Sequence, residues 1–223
     1  MAALKLPIAE DVLVKSRRRQ IFLAVTRVLA RKSFHQATVK EMALEAGLSP
    51  GSIYVYLRSK DEILLLLAEH MVGELVVELP EIRERTKDDS RAELLAIMRA
   101  ALNVIDRYRE AFAVLNHELR YLERNAKYRA ALSELLMPYN EALAGALRRG
   151  RERGRIHFDD LPSVVEALHM LCSGLSMGAG MLAKTDKETY WREISALVEG
   201  RFFINVGQNT TPGFAAGGGP DLS

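Results

Sequence analysis

The sequence has few of the residues that several classes of protein require. It contains one cysteine, Cys172, among 223 residues, which excludes an internal disulfide framework and a cysteine-rich zinc site. Its richest apolar run, Ile63 to Ala68, has six residues, whereas a membrane-spanning helix needs about 20. The first ten residues lack the apolar segment of a secretion signal. We therefore expect a cytoplasmic protein without membrane insertion.

Motifs for catalysis and cofactor binding are also absent from the sequence. The five histidines have no His-Glu-x-x-His or similar spacing, and no glycine-rich phosphate loop is present. His157, Asp159 and Asp160 lie in a charged stretch beside Gly154, which is more typical of a solvated turn than of a metal site. We expect no catalytic residue, no metal ligand, no cofactor and no enzymatic activity.

The charge of the chain is unevenly distributed along an otherwise ordinary globular composition. Hydrophobic residues make up 48% and charged residues 27%, which permits a buried core. Residues 1–60, called the head below, carry eleven Lys and Arg against four acids, a net charge of +7, and the remainder, called the body, carries −5. Such a basic head is typical of nucleic-acid binders, because phosphate neutralisation supplies most non-specific affinity.

Hydrophobic periodicity predicts an all-α fold. Apolar residues recur every three or four positions, and no stretch alternates with the two-residue period of a strand. In a capping box, the side chain of a Ser or Thr accepts from the backbone N–H of a Glu three residues later, and the Glu side chain accepts from the backbone N–H of the Ser or Thr. Such boxes mark helix starts at Thr38-x-x-Glu41, Ser59-x-x-Glu62 and Ser90-x-x-Glu93. About nine helices are predicted, near 15–31, 38–46, 49–57, 59–85, 90–106, 110–124, 126–153 with an interruption at Pro138, 162–183 and 187–206.

These elements divide the chain into four segments. A flexible N-terminal arm is expected at residues 1–14 and a helix-turn-helix DNA-binding domain at 15–60. A helical effector-binding and dimerisation domain follows at 61–207. The tail at 208–223 has too little apolar content to order itself and is expected to be disordered.

The helix-turn-helix prediction rests on the stretch from Thr38 to Lys60, TVKEMALEAGLSPGSIYVYLRSK. It reads as a capped short helix, a glycine-containing turn and a second short capped helix, and in this motif the second helix enters the major groove. The apolar residues predicted to form its core are Phe22, Val25, Phe34, Val39, Met42, Ala43, Ala46, Leu48, Ile53 and Leu57. Two short helices of an ordinary bundle would give a similar pattern, and the charge of the head favours the DNA-binding interpretation.

A family resemblance strengthens this interpretation. It is carried by Phe34-x-x-x-Thr38-Val39, Glu41-Met42-Ala43-x-x-Ala46-Gly47-Leu48-Ser49 and Gly51-x-Ile53-Tyr54-x-Tyr56-Leu57-x-Ser59-Lys60-Asp61-Glu62. With these motifs, residues 19–71 resemble the DNA-binding domain of TetR-family transcriptional regulators. Leu57, Val55 and Ser33 depart from the family pattern, which usually has Phe, His and Gly there. The resemblance implies phosphate contacts by Thr38, Ser49, Tyr54, Tyr56 and Lys60, and base-edge contacts by Lys40, Gly51, Ser52 and Val55.

We expect the protein to be a two-fold homodimer on a palindromic operator in double-stranded DNA. One recognition helix reads too few base pairs, so a second copy must bind about 34 to 36 Å along the duplex or at a multiple of that distance. Apolar stripes on the last two helices are predicted to form the interface, with Leu168, Leu171, Leu175, Ala179, Ile194, Leu197, Val198 and Phe202. Such stripes also occur in ordinary cores. The resemblance favours the interface, since family members dimerise through a four-helix bundle of these segments.

The middle helices either form a solid core or enclose a ligand cavity. Asn116 on an apolar face, Pro138 inside a periodic helix and His169 on the face of Cys172 favour a cavity, although each also fits a satisfied core residue or a helix break. The predicted lining is Phe112, Leu115, Asn116, Leu119, Tyr139, His169 and Cys172. A ligand there would release the DNA by shifting the population of conformations.

The sequence also indicates an effector class and one alternative function. The stretch Asn116 to Arg120, with Tyr128 and Arg129, resembles acyl-CoA-responsive members of the same family, which implies an apolar or fatty acyl effector. The alternative to a transcriptional repressor is a helical interaction protein or a membrane-surface protein that docks its basic head on anionic lipid. Preference for one short palindromic duplex over scrambled DNA distinguishes the two.

Overall fold

The computed structural model describes residues 12–177 and 186–202, and within these ranges the chain forms eight α-helices and no strand. The helices are α1 (Val12–Leu29), α2 (Val39–Glu45), α3 (Asp61–Arg85), α4 (Ser90–Arg107), α5 (Arg109–Arg124), α6 (Ala126–Glu152), α7 (Leu161–Met177) and α8 (Lys187–Phe202). A short 3-10 turn, Ser52–Val55, lies between α2 and α3. The predicted all-α fold is confirmed.

The head folds around a small apolar core of its own. Phe22 and Val25 of α1, Met42 of α2 and Ile53 of the 3-10 turn are fully buried, and Leu57 is almost so. The predicted core is confirmed at these positions, and Phe34, Ala43 and Ala46 are also buried, whereas Val39 and Leu48 are partly buried against it. This packing fixes the 3-10 turn against α1 and α2, since a buried side chain holds its backbone in place.

Local capping is confirmed at α2 and altered at α3. The N–H of Glu41 donates to Thr38 Oγ1 over 3.2 Å, and Glu41 Oε2 accepts from the N–H of Thr38 over 2.9 Å. At α3 the N–H of Glu62 donates to Ser59 Oγ over 3.3 Å, but the Glu62 carboxylate accepts from the N–H of Arg58 over 2.7 Å. The second capping box therefore forms only in one direction, and the regular helix starts at Asp61.

The capping box predicted at Ser90 is wrong. Asp89 caps α4 instead, because its side chain accepts from two backbone N–H groups of the first turn. Ser90 is buried, and Glu93 turns away from the helix start towards two guanidinium groups. Glu93 is 2.9 Å from Arg83 of α3 and 2.6 Å from Arg149 of α6. A buried carboxylate needs such partners. Glu93 therefore pairs with the two guanidinium groups and does not cap α4.

The body is a bundle in which α3 joins both parts of the protein. α3 packs on α1 of the head and on α4, α5 and α6 of the body. Its first turns bury the continuous run from Ile63 to Ala68, and Met71 and Leu75 continue the buried face. Among the described residues, no helix is long and apolar enough to cross a bilayer.

One predicted helix break does not occur, and several predicted boundaries lie outside the described residues. α6 continues through Pro138, whose predicted interruption is therefore wrong. The buried residues Leu132 and Tyr139 on either side of the exposed Pro138 hold α6 in place, and this packing offsets the backbone bond that a proline lacks. The predicted ends of the last two helices, at residues 183 and 206, lie outside the described residues, as do residues 1–11 of the predicted arm and the tail. Residues 12–14 of the predicted arm belong to α1.

Candidate DNA-binding interface and effector pocket

The predicted recognition helix at 49–57 is a single 3-10 turn and not an α-helix. Ser49 Oγ accepts from the N–H of Ser52 over 3.1 Å, and the N–H of Tyr56 donates to the Ile53 carbonyl over 2.9 Å. Only four residues, Ser52–Val55, have 3-10 geometry. The β-branched side chains at 53 and 55 and the glycine at 51 lower helix propensity, and short helical pieces often close as 3-10 turns.

The turn directs one apolar side chain inwards and presents the next two outwards. Ile53 is fully buried, whereas Tyr54 and Val55 are 53% and 80% exposed. Tyr56 is half-buried against the core of the head. The remaining predicted base and phosphate contacts, Thr38, Lys40, Ser49, Gly51 and Ser52, are exposed. All are accessible to a duplex except for the buried part of Tyr56.

Lys60 lies at the junction of the turn and α3. Its Nζ donates to the His35 carbonyl over 3.1 Å and lies 4.8 Å from the centroid of the Phe34 ring. These contacts hold the ammonium group beside the loop between α1 and α2. An ammonium group fixed at the surface of the head can reach a phosphate without being ordered first.

Acidic residues of the head neutralise part of its positive charge. Glu45 is 2.7 Å from both Arg27 and Arg31, and Glu41 pairs with Lys32. The hydrogen bond from Lys32 and those from Thr38 lower the pKa of Glu41 to about 2. Glu41 therefore stays ionised at neutral pH, and these pairs hold the side chains against one another within the head.

Comparisons with known proteins agree with this geometry. The profile of the family described as bacterial regulatory proteins, tetR family, matches residues 21–67. The HTH-type transcriptional repressor KstR2 of Rhodococcus jostii (strain RHA1) is 30% identical over 154 residues, which cover 69% of this chain and 74% of that relative. The chain belongs to the TetR family. It is a DNA-binding transcriptional regulator and not an enzyme, and the membrane-surface alternative is not favoured.

Two other matches concern the body of this TetR-family regulator as well as its head. The fatty acid metabolism regulator protein of Bacillus subtilis (strain 168) is 29% identical over 138 residues, covering 61% of this chain and 69% of that protein. The structure of FadR from Bacillus subtilis in complex with stearoyl-CoA has a TM-score of 0.67 at 24% identity, and the match covers 81% of this chain and 96% of that one.

A cavity of about 70 Å³ lies inside the body, between α3, α4, α5, α6 and α7. It is lined by Met71, Val72, Leu75, Ala101, Val104, Ile105, Phe112, Leu136, Tyr139, His169, Cys172 and Ser173. Four predicted residues are therefore in the lining, namely Phe112, Tyr139, His169 and Cys172. Leu115 and Asn116 are half-buried on α5 outside it, and the side chain of Leu119 lies outside the described residues.

The lining has few polar groups. The buried Tyr139 hydroxyl has no hydrogen bond of ordinary geometry within the described structure, and it interacts with the Cys172 thiol. The neighbouring Cys172 thiol donates to the Met98 carbonyl, with 3.7 Å between sulfur and oxygen, and burial raises the pKa of this thiol to about 12. Burial also lowers the pKa of His169. Uncharged groups are thus favoured throughout the cavity.

Sequence reasoning missed the contribution of α3 and α4 to this cavity. Met71 and Leu75 are spaced by four residues on one face of α3, which is the helical neighbour spacing. That spacing identifies a buried face, but it gives no signal that the face borders a void. Ser173, next to Cys172 on α7, was also missed.

The predicted dimer residues are not all at the surface. Leu168, Ile194 and Val198 are buried within this chain, which corrects the expectation that they face a partner. Leu197 is 63% exposed and Leu171 is half-buried. Met170, which was not among the predicted residues, is 53% exposed on α7. Ala179 and the side chains of Leu175 and Phe202 lie outside the described residues.

Proposed function

We propose that this TetR-family regulator is a homodimeric repressor that leaves a palindromic operator when an apolar effector enters the body. The cavity carries this proposal, because it is apolar and contains one hydroxyl, Tyr139, without a hydrogen bond of ordinary geometry. Ligand pockets typically combine an apolar lining with a few polar groups that fix orientation. The single buried cysteine fits a reducing compartment, and the proposed location is the cytoplasm.

The DNA contacts are proposed at the exposed residues of the head. Lys40, Gly51, Ser52 and Val55 contact base edges, and Thr38, Ser49, Tyr54, Tyr56 and Lys60 contact phosphates. Seven of these nine residues are exposed and Tyr56 and Lys60 are half-buried, which supports the assignment, as does the position of the Lys60 ammonium group beside the loop between α1 and α2. Phosphate contacts set the register and base contacts provide the sequence preference.

The dimer interface is proposed on the outer faces of α7 and α8. Leu197 and Met170 are exposed apolar residues there, and Leu171 is half-buried. The Tyr190 hydroxyl of α8 donates to the Leu171 carbonyl of α7 over 2.6 Å, so the two helices present one surface. Two copies joined through this surface place two heads on neighbouring half-sites of a palindrome.

α3 provides the physical connection between effector and operator. It begins at Asp61, next to Lys60, and its later turns supply Met71 and Leu75 to the cavity. The cavity of about 70 Å³ is smaller than ordinary ligand pockets, which measure about 300 to 1,000 Å³. An effector must therefore displace α3 or its neighbours, and this displacement changes the separation of the two heads.

The proposed effector class is a fatty acyl-CoA. The regulator of fatty acid metabolism from Bacillus subtilis is similar over most of the chain, and an acyl chain suits an apolar, uncharged cavity. Linkage requires that an effector which weakens operator binding is itself bound more weakly when the operator is present.

A binding experiment on the full-length protein tests this function. Operator duplexes are first selected from randomised DNA, and affinity is then measured by fluorescence anisotropy with and without stearoyl-CoA, stearate, free CoA or a steroid. We expect one palindromic sequence to be selected and only stearoyl-CoA to weaken its binding, by tenfold or more. Selection of a palindrome with no response to any compound would contradict the effector proposal, and failure to select any sequence would contradict the operator proposal.

A further inference from the structure

Two histidines and one glutamate from distant parts of the sequence meet where the head contacts the body. His35 lies in the loop between α1 and α2, and His117 and Glu118 are on α5. His35 Nε2 is 3.0 Å and His117 Nδ1 is 2.9 Å from Glu118 Oε1. All three ligand atoms lie within 4.8 Å of one another.

The burial of these groups differs in a way that suits a metal ion. The Glu118 side chain is 8% exposed, whereas those of His35 and His117 are 73% and 79% exposed. Within the described residues, the ion pairs of Glu118 involve these two imidazoles only. A buried carboxylate with two imidazole nitrogens converging on one of its oxygens is a donor set for a borderline divalent cation.

We propose that His35 Nε2, His117 Nδ1 and Glu118 Oε1 bind one Zn²⁺ ion per chain. Bonds of about 2.1 Å in a tetrahedral arrangement place donor atoms roughly 3.4 Å apart. The two imidazole nitrogens lie 2.9 and 3.0 Å from Glu118 Oε1, and all three atoms lie within 4.8 Å of one another. Rotation of the two exposed imidazoles brings the three atoms to the separations that the ion requires. The exposure of both imidazoles leaves room for water at the remaining coordination position.

An ion at this site links the head to the body by a contact separate from α3. His35 is three residues before Thr38, the cap of α2, and its carbonyl accepts from Lys60. His117 is on the helix that supplies Phe112 to the cavity. Zn²⁺ therefore restrains the head against α5, and its binding is coupled to operator affinity because DNA requires a particular head orientation. This coupling requires the operator but not the effector of the proposed function.

Titration of the full-length, untagged protein with Zn²⁺ tests the site. After treatment with a chelator and its removal, isothermal titration calorimetry is expected to give one ion per chain. His35→Asn and His117→Asn should each weaken the affinity at least tenfold. Each variant keeps the other imidazole beside the buried Glu118 carboxylate, so the melting temperature of the metal-free protein should fall only slightly. Co²⁺, added as a spectroscopic substitute, should give an absorption band that both variants lose.

His157→Asn is the matched control. His157 is also 73% exposed and lies 3.6 Å from Asp159 Oδ1, but among the described residues it belongs to no group of three potential metal ligands. This variant should bind Zn²⁺ as the wild type does. Absence of stoichiometric binding, or an equal loss of affinity in His157→Asn, would overturn the site.

Operator affinity with and without Zn²⁺ tests the coupling. The wild type should show at least a threefold change that is absent in His35→Asn and His117→Asn. Full Zn²⁺ occupancy without any change in operator affinity would overturn the coupling. If an effector still weakens operator binding in His35→Asn, His117→Asn and His157→Asn, the effector proposal does not depend on the metal site.

Discussion

The imidazole of His70 in α3 stacks on the phenyl ring of Phe22 in α1, with ring centroids 3.8 Å apart. Tyr108, at the end of α4, meets the Phe22 ring edge-on at 4.9 Å. These three rings join the core of the head to the body at a point near the middle of α3. Burial lowers the pKa of His70, and Glu74 partly opposes this effect while Arg19 adds to it.

The first prediction concerns the pH dependence of stability. Because the pKa of His70 lies below its ordinary value of 6.5 in the folded state, the unfolded chain binds more protons below that pH. The free energy of unfolding should therefore fall as pH decreases through 6.5, until the folded-state pKa is passed. His70→Phe, which keeps an aromatic ring between Phe22 and Tyr108, should reduce this fall in urea unfolding at pH 8, 7, 6 and 5.

The remaining fall should come largely from His169, whose pKa is also lowered by burial. His157→Phe serves as the control and should keep the full dependence, because His157 is exposed. A His70→Phe curve as steep as that of the wild type would refute the assignment.

The second prediction compares two helical glycines. A Cβ atom on Gly150 would be 2.2 Å from Ile156 Cδ1, whereas one on Gly73 would meet nothing within 4 Å. Overpacking costs typically about 1 to 3 kcal/mol, and alanine in place of glycine inside a helix contributes up to about 1 kcal/mol of stability. Gly150→Ala should thus lower the free energy of unfolding by about 1 to 2 kcal/mol.

Gly73→Ala should raise the free energy of unfolding by up to about 1 kcal/mol, because only the helix propensity changes. Chemical denaturation of both variants checks the pair. The same sign of change in both variants would contradict the packing argument.

Sequence reasoning succeeded best where the decisive contacts are local. The capping box of Thr38 and Glu41 spans three residues and formed as predicted. Contacts over long sequence separations were not predictable in this way. Glu93 does not form its predicted cap because it pairs with Arg149, 56 residues further along the chain.

At the candidate sites, too, local features were predictable and contacts between distant parts of the sequence were not. Exposure of Val55 follows from its neighbour Ile53 packing inwards, which the apolar pattern indicated. The cluster of His35, His117 and Glu118 depends on how α5 packs against the head, and no sequence spacing encodes that packing. The residues predicted as a stripe on α8 are apolar. Whether Ile194 is buried within its own chain, however, depends on how α4 packs against α8, and the sequence does not show this.

The third prediction concerns sequence preference. Val55 is 80% exposed in the turn and Val77 is 79% exposed in α3. Alanine at either position should change stability by no more than about 0.5 kcal/mol, because both are surface positions. Val55→Ala should also reduce the preference for the selected operator over single-base variants by about fivefold, or roughly 1 kcal/mol. Val77→Ala should keep the preference, and equal behaviour of the two variants would exclude Val55 from base contacts.

The fourth prediction separates a phosphate contact from general charge. Lys60→Ala should weaken binding to all duplexes similarly and reduce the slope of log affinity against log salt by about one unit. Lys87→Ala, which removes an exposed lysine of the body paired with Glu84, should leave the slope unchanged. Anisotropy titrations between low and moderate salt measure both slopes, and an unaltered slope in Lys60→Ala would remove this residue from the phosphate contacts.

The last prediction uses the buried hydroxyl of Tyr139. Leaving a buried polar group unsatisfied costs about 1 to 3 kcal/mol, so Tyr139→Phe should leave the free protein as stable as the wild type or more stable. The same variant should bind the effector more weakly, by about two- to tenfold, because a hydrogen bond contributes about 0.5 to 1.5 kcal/mol. Thermal melting and stearoyl-CoA titration of one preparation measure both quantities. A destabilised variant with unchanged effector affinity would mean that the hydroxyl supports the fold of the free protein and does not contact the effector.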